Sequence, residues 1–200
     1  MPLPSFAARI AAWQTRHGRH HLPWQCDDPY RVWLSEIMLQ QTQVATVLDY
    51  YPRFLARFPD VAALAAAAED DVLACWSGLG YYSRARNLHQ AAQQVMRDYG
   101  GRFSANRAAL ETLRGVGRST AAAIAVFACG HKEAILDGNV RRILARHAGI
   151  YGAPERPATQ QALWAAAEAR LPDDAATLRR YTQGLMDLGS ALCTRSRPQC

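Results

Sequence analysis

Residues 113–120 read Leu-Arg-Gly-Val-Gly-Arg-Ser-Thr, and a run of small and apolar residues follows them. The two glycines allow a sharp backbone turn, because glycine adopts conformations that other residues avoid. We predict one helix before the turn, from Asn106 to Leu113, and another after it, from Ser119 to Cys129. The N–H groups that open the second helix, aided by its dipole, are suited to bind a phosphate oxygen. An ordinary helix–helix turn is the alternative, but the full pattern favours a helix-hairpin-helix whose phosphate contacts are Gly115, Gly117, Arg118 and Ser119.

A lone carboxylate follows a short distance downstream, in the segment Ile-Leu-Asp-Gly-Asn-Val-Arg-Arg at residues 135–142. Asp137 is predicted to cap the N-terminus of a helix, because aspartate before Gly-Asn commonly accepts the first N–H groups of a helix. The same cap bonds would also hold the carboxylate rigidly. A phosphate-binding turn near a fixed carboxylate suggests an enzyme that acts on DNA, rather than a module that only binds it.

A second carboxylate, Glu36, is predicted in the middle of a helix that Asp28 caps and Pro29 opens. Its neighbours one turn away, among them Val32 and Trp33, are mostly apolar. A carboxyl group on an apolar face has a raised pKa and can serve as a general acid. A glutamate in a helix more often faces solvent, and spacing alone does not separate these two interpretations.

The hydrophobic pattern is helical nearly throughout, so we predict an all-α fold without strands, repeats or a low-complexity linker. Besides the segments above, Ser5 and Asp60 are predicted caps. Further helices are predicted over residues 42–57, 69–76, 81–99, 139–147, 157–169 and 173–188, with a break at Ser77-Gly78-Leu79-Gly80.

The charge balance favours a polyanionic partner, with a formal net charge of +6 and a pI near 9.3. Of the 23 basic residues only Lys132 is a lysine, a bias that a GC-rich genome explains. The consequence for catalysis is that side-chain amines for Schiff-base chemistry are nearly absent. With no secretory signal, no apolar run of about 18 residues and an odd number of cysteines, we expect a cytoplasmic protein with reduced thiols.

Two cysteines, Cys193 and Cys200, are separated by six residues near the end of the sequence. That spacing alone proves no metal site, because a four-thiolate centre needs two further ligands. Cys26, Cys75 and Cys129 lie among apolar residues and are predicted to be small core side chains.

Several segments together resemble the MutY-type adenine DNA glycosylases of the helix-hairpin-helix DNA glycosylase superfamily, and the resemblance runs from Trp13 to Cys200. The matching segments are Leu22-Pro23-Trp24-Gln25, residues 30–44 (YRVWLSEIMLQQTQV), residues 78–88 (GLGYYSRARNL), residues 136–140 (LDGNV), Met186-Asp187-Leu188-Gly189 and Cys193-Thr194-Arg195.

The resemblance implies two helical lobes that flank a DNA cleft. Residues 22–132 would form a six-helix barrel with the helix-hairpin-helix at 106–129. Residues 1–21 and 133–200 would form the other lobe, which carries Asp137 and the first half of a loop for a [4Fe–4S] cluster.

The resemblance also implies a mechanism in which adenine is flipped out of a duplex where it is mispaired with 8-oxoguanine or guanine. Glu36 would protonate the adenine N7, and Asp137 would stabilise the cationic sugar or trap it covalently, as the paired carboxylates of glycoside hydrolases do. Gln41 and Tyr81 match positions that enter the base stack. Residues that match the base pocket or support Asp137 are Trp24, Gln25, Asn139 and Gln183.

Endonuclease III-type relatives carry a lysine immediately after the Gly-x-Gly-Arg turn and use it to cut the strand through a Schiff base. Ser119 occupies that position here, which favours a monofunctional glycosylase. Two alternatives stay open: a bifunctional glycosylase/lyase, and a DNA-binding module without activity, either inherently or because truncation disables it.

The sequence departs from the family pattern at Arg114, where many relatives have proline, and at the cluster loop. The family pattern has four cysteines, of which Cys193 and Cys200 would be the first two. We therefore expect a fragment of a longer protein in which the [4Fe–4S] cluster is absent or incomplete. The expected molecule is a bacterial, nucleoid-associated monomer whose partner is double-stranded DNA, with no membrane contact.

Overall fold

The computed structural model describes residues 4–200, and every regular element in that range is a helix. The predicted all-α fold is confirmed. In chain order the helices are α1 (Phe6–His17), α2 (Pro29–Leu39), α3 (Val44–Arg57), α4 (Val61–Ala66), α5 (Glu69–Trp76), α6 (Ser83–Tyr99), α7 (Arg107–Leu110), α8 (Arg118–Cys129), α9 (Gly138–Ala148), α10 (Pro157–Glu168) and α11 (Ala175–Ala191).

The chain divides into two compact units. The central unit is the continuous segment His21–Cys129 and contains α2 to α8. The terminal unit combines the residues up to His20 with Gly130–Cys200 and contains α1 and α9 to α11. The resemblance implies one lobe over residues 22–132 and another over residues 1–21 with 133–200, and this assignment of lobes stays a prediction.

Helix α8 lies at the core of the central unit, where the six consecutive residues from Ala121 to Val126 are all buried. A helix that is apolar all round is stable only when it is surrounded by other elements. It packs against α2, and α6 packs against α4 and α5. The largest buried side chains of this core are aromatic: Trp33, Tyr51, Phe54, Phe58 and Trp76.

Local capping chemistry places several helix ends where the sequence predicts them. The carboxylate of Asp28 accepts from the N–H groups of Tyr30 at 2.9 Å and Arg31 at 3.3 Å, and Asp60 accepts from Ala63 at 2.7 Å. Gly100 ends α6 in the left-handed conformation with a φ of 58°, a position that favours glycine.

Four helices differ by two or more residues from their predicted bounds, and one of them is α3, which begins at Val44 rather than at residue 42. Helix α7 is a single turn that ends at Leu110, because the hairpin turn begins earlier than the apolar pattern suggests. Helix α6 begins at Ser83 rather than Tyr81, because Tyr81 adopts a φ of 47°, which is incompatible with an α-helix. Helix α11 is capped by Asp174, whose side chain accepts from the N–H groups of Ala176 and Thr177, and it extends to Ala191.

In the terminal unit α11 packs against both α1 and α9, and α10 packs against α9. A side chain at Gly184 of α11 would approach Cγ2 of Ile10 to 2.9 Å, so the glycine permits the close contact with α1. Ser5 caps α1, as predicted. Within residues 4–200, none of the helices combines the length and the apolar character needed to cross a membrane.

Candidate active site

The predicted hairpin is present in the central unit, between α7 and α8. Asn106 caps α7 by accepting from the N–H groups of Ala108 at 2.8 Å and Ala109 at 3.3 Å. The apolar turn residues Leu113 and Val116 are buried and fix the turn to the core. The N–H group of Ala121 donates to the carbonyl of Gly117 at 2.9 Å and begins the ladder of α8. The residues before it form the first turn, where backbone N–H groups lack acceptors within the helix.

The two hairpin glycines serve different structural needs. Gly115 has a φ of 76°, and a Cβ atom there would lie 3.0 Å from Cβ of Asn87. Gly117 has no positive φ, and a Cβ atom there would meet nothing within 4 Å. The fold therefore requires glycine at 115, whereas the absence of a side chain at 117 leaves the backbone open to a ligand. Arg118 and Ser119, the other predicted phosphate contacts, are the first residues of α8 and half-buried.

Glu36 lies in the last turns of α2, where both neighbouring residues, Ser35 and Ile37, are buried. Seven of the eleven residues of α2 are buried, and Glu36 itself is half-buried. Its apolar neighbours one turn earlier, Val32 and Trp33, are buried, and the role of Glu36 as a general acid stays a prediction. This carboxyl group is held on a helix fixed to the core rather than on a loop.

Two predicted base-stack residues occupy strained loop positions of the central unit. Gln41 has a φ of 57° and Tyr81 a φ of 47°, and both side chains are exposed. Both φ values lie in the left-handed region, where the backbone of a residue other than glycine is strained by about 1–2 kcal/mol. Such strain persists only where surrounding contacts hold the backbone, and it concentrates at functional sites.

The predicted base-pocket residues of the central unit differ in exposure. Trp24 is buried, with its ring centroid 5.3 Å from that of Tyr51 in an edge-to-face arrangement. Gln25 is exposed, and its side-chain oxygen accepts from the N–H group of Leu22 at 3.2 Å. That bond supports the turn from Leu22 to Gln25, whose central residues are Pro23 and Trp24.

Asp137 caps α9 in the terminal unit, as the sequence predicts. Its Oδ1 atom accepts a hydrogen bond from the N–H group of Val140 at 2.7 Å. Burial raises the pKa of Asp137 above its ordinary value of 3.8, and the backbone hydrogen bonds of Val140 and Asn139 oppose that rise, as do the charges of Arg142 and Arg141. The carboxylate is thus immobilised, half-buried and flanked by positive charge.

Asn139 is held in place from two sides. Its Oδ1 atom accepts from Nη2 of Arg142 at 2.8 Å, and the same nitrogen donates to the carbonyl of Gly189 at 2.6 Å. A Cβ atom at Gly189 would lie 2.5 Å from Cβ of Asn139, so only glycine allows α11 to approach the start of α9 this closely. The remaining Arg142 donors reach the carbonyls of Gly138 and Cys193.

Gln183 is buried on α11, and its Nε2 atom donates to Oδ1 of Asp187 at 2.9 Å. Asp187 is also buried and accepts from the backbone N–H and the guanidinium of Arg19 at 2.9 and 2.7 Å. The buried charge is therefore paired, as burial requires. This network fixes which end of the Gln183 amide points toward Asp187.

Cys193 and Cys200 are brought close to the same side chain, Arg146. Its Nη1 atom lies 3.1 Å from Sγ of Cys193 and 3.9 Å from Sγ of Cys200. Burial raises the pKa of the Cys193 thiol, and a hydrogen bond with that thiol lowers the pKa of Cys200. Residues 4–200 contain no group of three or more histidine, cysteine or acidic side chains that would hold a metal. The donors in this range therefore do not complete a four-thiolate ligand set.

Sequence reasoning missed three residues that organise these sites: Arg142, Asp187 and Arg84. The guanidinium of Arg84 donates to the carbonyls of Gln40 and Gly80, which immediately precede Gln41 and Tyr81. Arg84 and Asp187 are charged but buried, and Arg142 binds backbone carbonyls. The distribution of charged residues along the sequence reveals neither property. The signal for Arg142 was its place three residues after Asn139 in a helix, since side chains at that spacing meet. Asp187 had the same kind of signal, because it stands four residues after Gln183 in a helix. Arg84 had no comparable local signal.

Comparison with known proteins adds a family match and close relatives. The profile described as the HhH-GPD superfamily base excision DNA repair protein matches residues 34–169. An adenine DNA glycosylase of Buchnera aphidicola subsp. Acyrthosiphon pisum is 40% identical over 196 residues, which cover 98% of this chain and 55% of that protein. The human adenine DNA glycosylase is 39% identical over 206 residues, which cover 98% of this chain and 37% of that protein.

Among solved structures, a thermostable thymine-DNA glycosylase superposes with a TM-score of 0.87 at 30% identity, covering 98% of this chain and 89% of that one. The chain spans about half the length of the Buchnera adenine DNA glycosylase that it matches.

Proposed function

The chain belongs to the HhH-GPD superfamily of base excision DNA repair proteins, and we propose that it is the catalytic part of a monofunctional adenine DNA glycosylase. The observation that carries the proposal is the immobilised carboxylate of Asp137, which is a cap of α9, half-buried and flanked by arginines. The similarity of nearly the whole chain to adenine DNA glycosylases from bacteria and human supports the choice of base.

In the proposed reaction the bond between C1′ of the sugar and N9 of adenine breaks. Glu36 gives a proton to N7 of the base, so that adenine leaves as a neutral molecule. The ionised carboxylate of Asp137 stabilises the positive charge on the sugar, or bonds to C1′ until water replaces it. Water supplies the hydroxyl group of the abasic product, and its remaining proton restores the acid.

The proposed DNA contacts follow from the hairpin and the strained loops. The N–H groups that open α8 and the side chain of Arg118 would hold a phosphate, with Gly115 shaping the turn and Gly117 and Ser119 lining it. Gln41 and Tyr81 would enter the base stack. The residues proposed to line the base pocket or to support Asp137 are Trp24, Gln25, Asn139 and Gln183.

The position of the lysine side chain supports a monofunctional reaction. Lys132 is the only lysine of the sequence, and its Nζ atom lies 2.6 Å from Oδ1 of Asp173 in an exposed ion pair. Ser119, at the start of α8, has no amine. Strand cleavage through a Schiff base to a lysine therefore has no suitable residue at the hairpin.

We further propose that Cys193 and Cys200 are two of four thiolate ligands to a [4Fe–4S] cluster in a longer form of the protein. Their common contact with Arg146 supports the proposal, because a cation beside thiolates favours the ionised form that binds iron. The described residues supply only these two ligands, so no step of the reaction is assigned to a cluster.

A single-turnover assay tests the proposed activity. The chain, in excess, is incubated with a duplex that contains adenine opposite 8-oxoguanine, and half of each sample is treated with alkali before a denaturing gel. Strand breaks only after alkali support a monofunctional glycosylase. Breaks without alkali indicate a lyase, and no break in either half leaves a DNA-binding module. Glu36→Gln and Asp137→Asn are the matched variants, and both are expected to bind DNA without releasing adenine.

Thymine is the second candidate base, because a structure with a TM-score of 0.87 is that of a thymine-DNA glycosylase. The same assay on duplexes with thymine opposite guanine, and with adenine opposite guanine, compares the two bases directly. We expect release of adenine from both of its mispairs and none of thymine. Preferential release of thymine would replace adenine as the assigned substrate.

A further inference from the structure

Two loops of the central unit present exposed side chains from strained backbone. The Gln41 loop, residues 40–43, joins α2 to α3, and the Tyr81 loop, residues 77–82, joins α5 to α6. Their strained residues, Gln41 and Tyr81, have φ values of 57° and 47°. Glycine or asparagine would adopt this conformation at lower cost. A long side chain at such an exposed position gains nothing from burial, so packing of the side chain does not offset the strain of the backbone.

The guanidinium of Arg84 accounts for the backbone conformation of the Gln41 loop. Arg84 lies in the first turn of α6 and is 8% exposed. Its Nη1 atom donates to the carbonyls of Ile37 at 3.0 Å, Met38 at 2.8 Å and Gln40 at 2.5 Å. These carbonyls form the C-terminal end of α2, where a cation is favourable because the helix dipole is negative there.

The other terminal nitrogen of Arg84 joins the two loops. Its Nη2 atom lies 3.0 Å from Oγ1 of Thr42 in the Gln41 loop. The same atom lies 3.1 Å from the carbonyl of Leu79 and 3.3 Å from that of Gly80 in the Tyr81 loop. The guanidinium carbon also lies 5.6 Å from the ring centroid of Tyr81. One side chain therefore contacts the backbone immediately before both strained residues.

We propose that Arg84 is a positioning residue that holds Gln41 and Tyr81 together, in advance of binding, as two fixed probes for a DNA base pair. This role requires a guanidinium, because a guanidinium donates hydrogen bonds in several fixed directions and can bind both loops at once. The ammonium group of lysine is a single point charge. The inference rests on the proposed function for its DNA ligand, but the anchoring itself is independent of that ligand. Positions set in advance reduce the ordering that base extrusion requires.

The test compares Arg84→Lys with Arg86→Lys, a matched change on the same helix. The side chain of Arg86 forms an exposed ion pair with Glu69, with Nε 3.4 Å from Oε1. Its backbone N–H donates to the carbonyl of Tyr82, a bond that a change of side chain leaves in place. A milder variant, Thr42→Val, removes one Nη2 acceptor and serves if Arg84→Lys does not fold. Thermal unfolding establishes that each variant is folded before it is used.

The first measurement is amide hydrogen exchange of the free protein. The N–H groups of three loop residues donate to carbonyls in the last turns of the preceding helices: Gln40 to Ile37, Thr42 to Leu39 and Leu79 to Trp76. We expect the amide exchange rates of these loop residues to rise at least about tenfold in Arg84→Lys and by a smaller factor in Thr42→Val. The amide exchange rates of α8 should stay the same in both variants. Uniformly faster exchange over the whole central unit, or no change in the loops, would overturn the proposal in favour of a general scaffold role.

The second measurement is the fluorescence of 2-aminopurine placed opposite guanine in a duplex, read by stopped flow before base release. We expect the wild type and Arg86→Lys to give a rise from unstacking, and Arg84→Lys to slow that rise on the order of tenfold while duplex affinity changes much less. Equal rises in all variants would contradict the positioning role. No rise in the wild type would instead count against the proposed glycosylase, while the exchange result would still decide the anchoring role of Arg84.

Discussion

Nη2 of Arg142 lies 2.8 Å from Oδ1 of Asn139 and donates a hydrogen bond to it, two residues beyond the carboxylate of Asp137. The same guanidinium binds the carbonyls of Gly138, Gly189 and Cys193. Arg142 thus links the start of α9 to the end of α11 and the loop that follows. It also opposes the rise of the Asp137 pKa.

We expect Arg142→Gln to lower the rate of adenine release most strongly at acidic pH. Removing this positive charge raises the pKa of Asp137 further, so a smaller fraction of the carboxylate is ionised at a given pH. The pH dependence of the single-turnover rate measures the shift of the acidic limb toward higher pH. Arg180→Gln, which removes the same charge from an exposed position of α11, should leave that limb in place. An unshifted limb in Arg142→Gln would contradict the assignment of that limb to Asp137.

Asp137→Asn should stabilise the fold at neutral pH while abolishing catalysis. The folded pKa of Asp137 lies above the ordinary value of 3.8, so the folded state binds this proton more tightly than the unfolded state does. Ionisation therefore removes stability as the pH rises from about 3.8 through the raised folded value. Asparagine keeps the cap oxygen without the charge, and asparagine and aspartate cap about equally well.

Chemical denaturation of both proteins across this pH range measures the difference. The advantage of Asp137→Asn should grow with pH and then become constant. Asp137→Ala, which loses the cap bond as well, should be about 1 kcal/mol less stable than Asp137→Asn. If the wild type is the more stable protein at neutral pH, the burial cost assigned to this carboxylate is wrong.

Gly189→Ala should impair catalysis more than stability. Its new Cβ atom would meet Cβ of Asn139 at 2.5 Å and Cα at 3.1 Å, which displaces the start of α9. Gly184→Ala is the matched variant in the same helix, since its Cβ atom would meet Ile10 and Gln14 of α1 at similarly short distances. Both should lose about 1–3 kcal/mol of unfolding free energy. Only Gly189→Ala should also release adenine about tenfold more slowly per folded molecule.

The hairpin glycines should respond differently to alanine. Gly115→Ala should destabilise the central unit, because its φ is 76° and its Cβ atom would press on Asn87. Thermal unfolding measures this loss.

Gly117→Ala should leave thermal stability nearly unchanged, because its Cβ atom would meet nothing within 4 Å. It should weaken duplex binding, however, because the new methyl group shields the N–H groups that open α8. Titrations at several salt concentrations check this: affinity should fall at every salt concentration while the salt slope stays nearly the same, because the change removes no cation. Unchanged affinity in Gly117→Ala would contradict the proposed phosphate site.

Local chemistry explains what the sequence could predict. The caps at Asp28, Asn106 and Asp137 depend on residues three or fewer positions away, so a reader of the sequence can identify them. The all-α fold follows from helical periodicity in the same way. The hairpin was predictable because glycine spacing and small residues occur within one short segment.

Tertiary contacts explain what the sequence could not predict. The conformation of Tyr81 depends on a guanidinium three residues later that also binds a loop more than 40 positions away, and no periodic pattern records that pairing. Burial of Asp187 depends on Arg19, which lies 168 positions earlier. The roles of Gln41, Tyr81 and the base-pocket residues stay predictions, since they depend on a DNA ligand.

The terminal unit is assembled from both ends of the chain, since α1 packs against α11. Closing so long a loop carries an entropic cost that grows with the logarithm of its length. During synthesis the central unit, which is continuous, emerges complete while α11 has not yet been made. We therefore expect the nascent chain to acquire a folded hairpin before it acquires a rigid setting for Asp137. On the proposed function, a ribosome-bound intermediate of this kind would bind DNA phosphates through the hairpin before it could cleave an N-glycosidic bond.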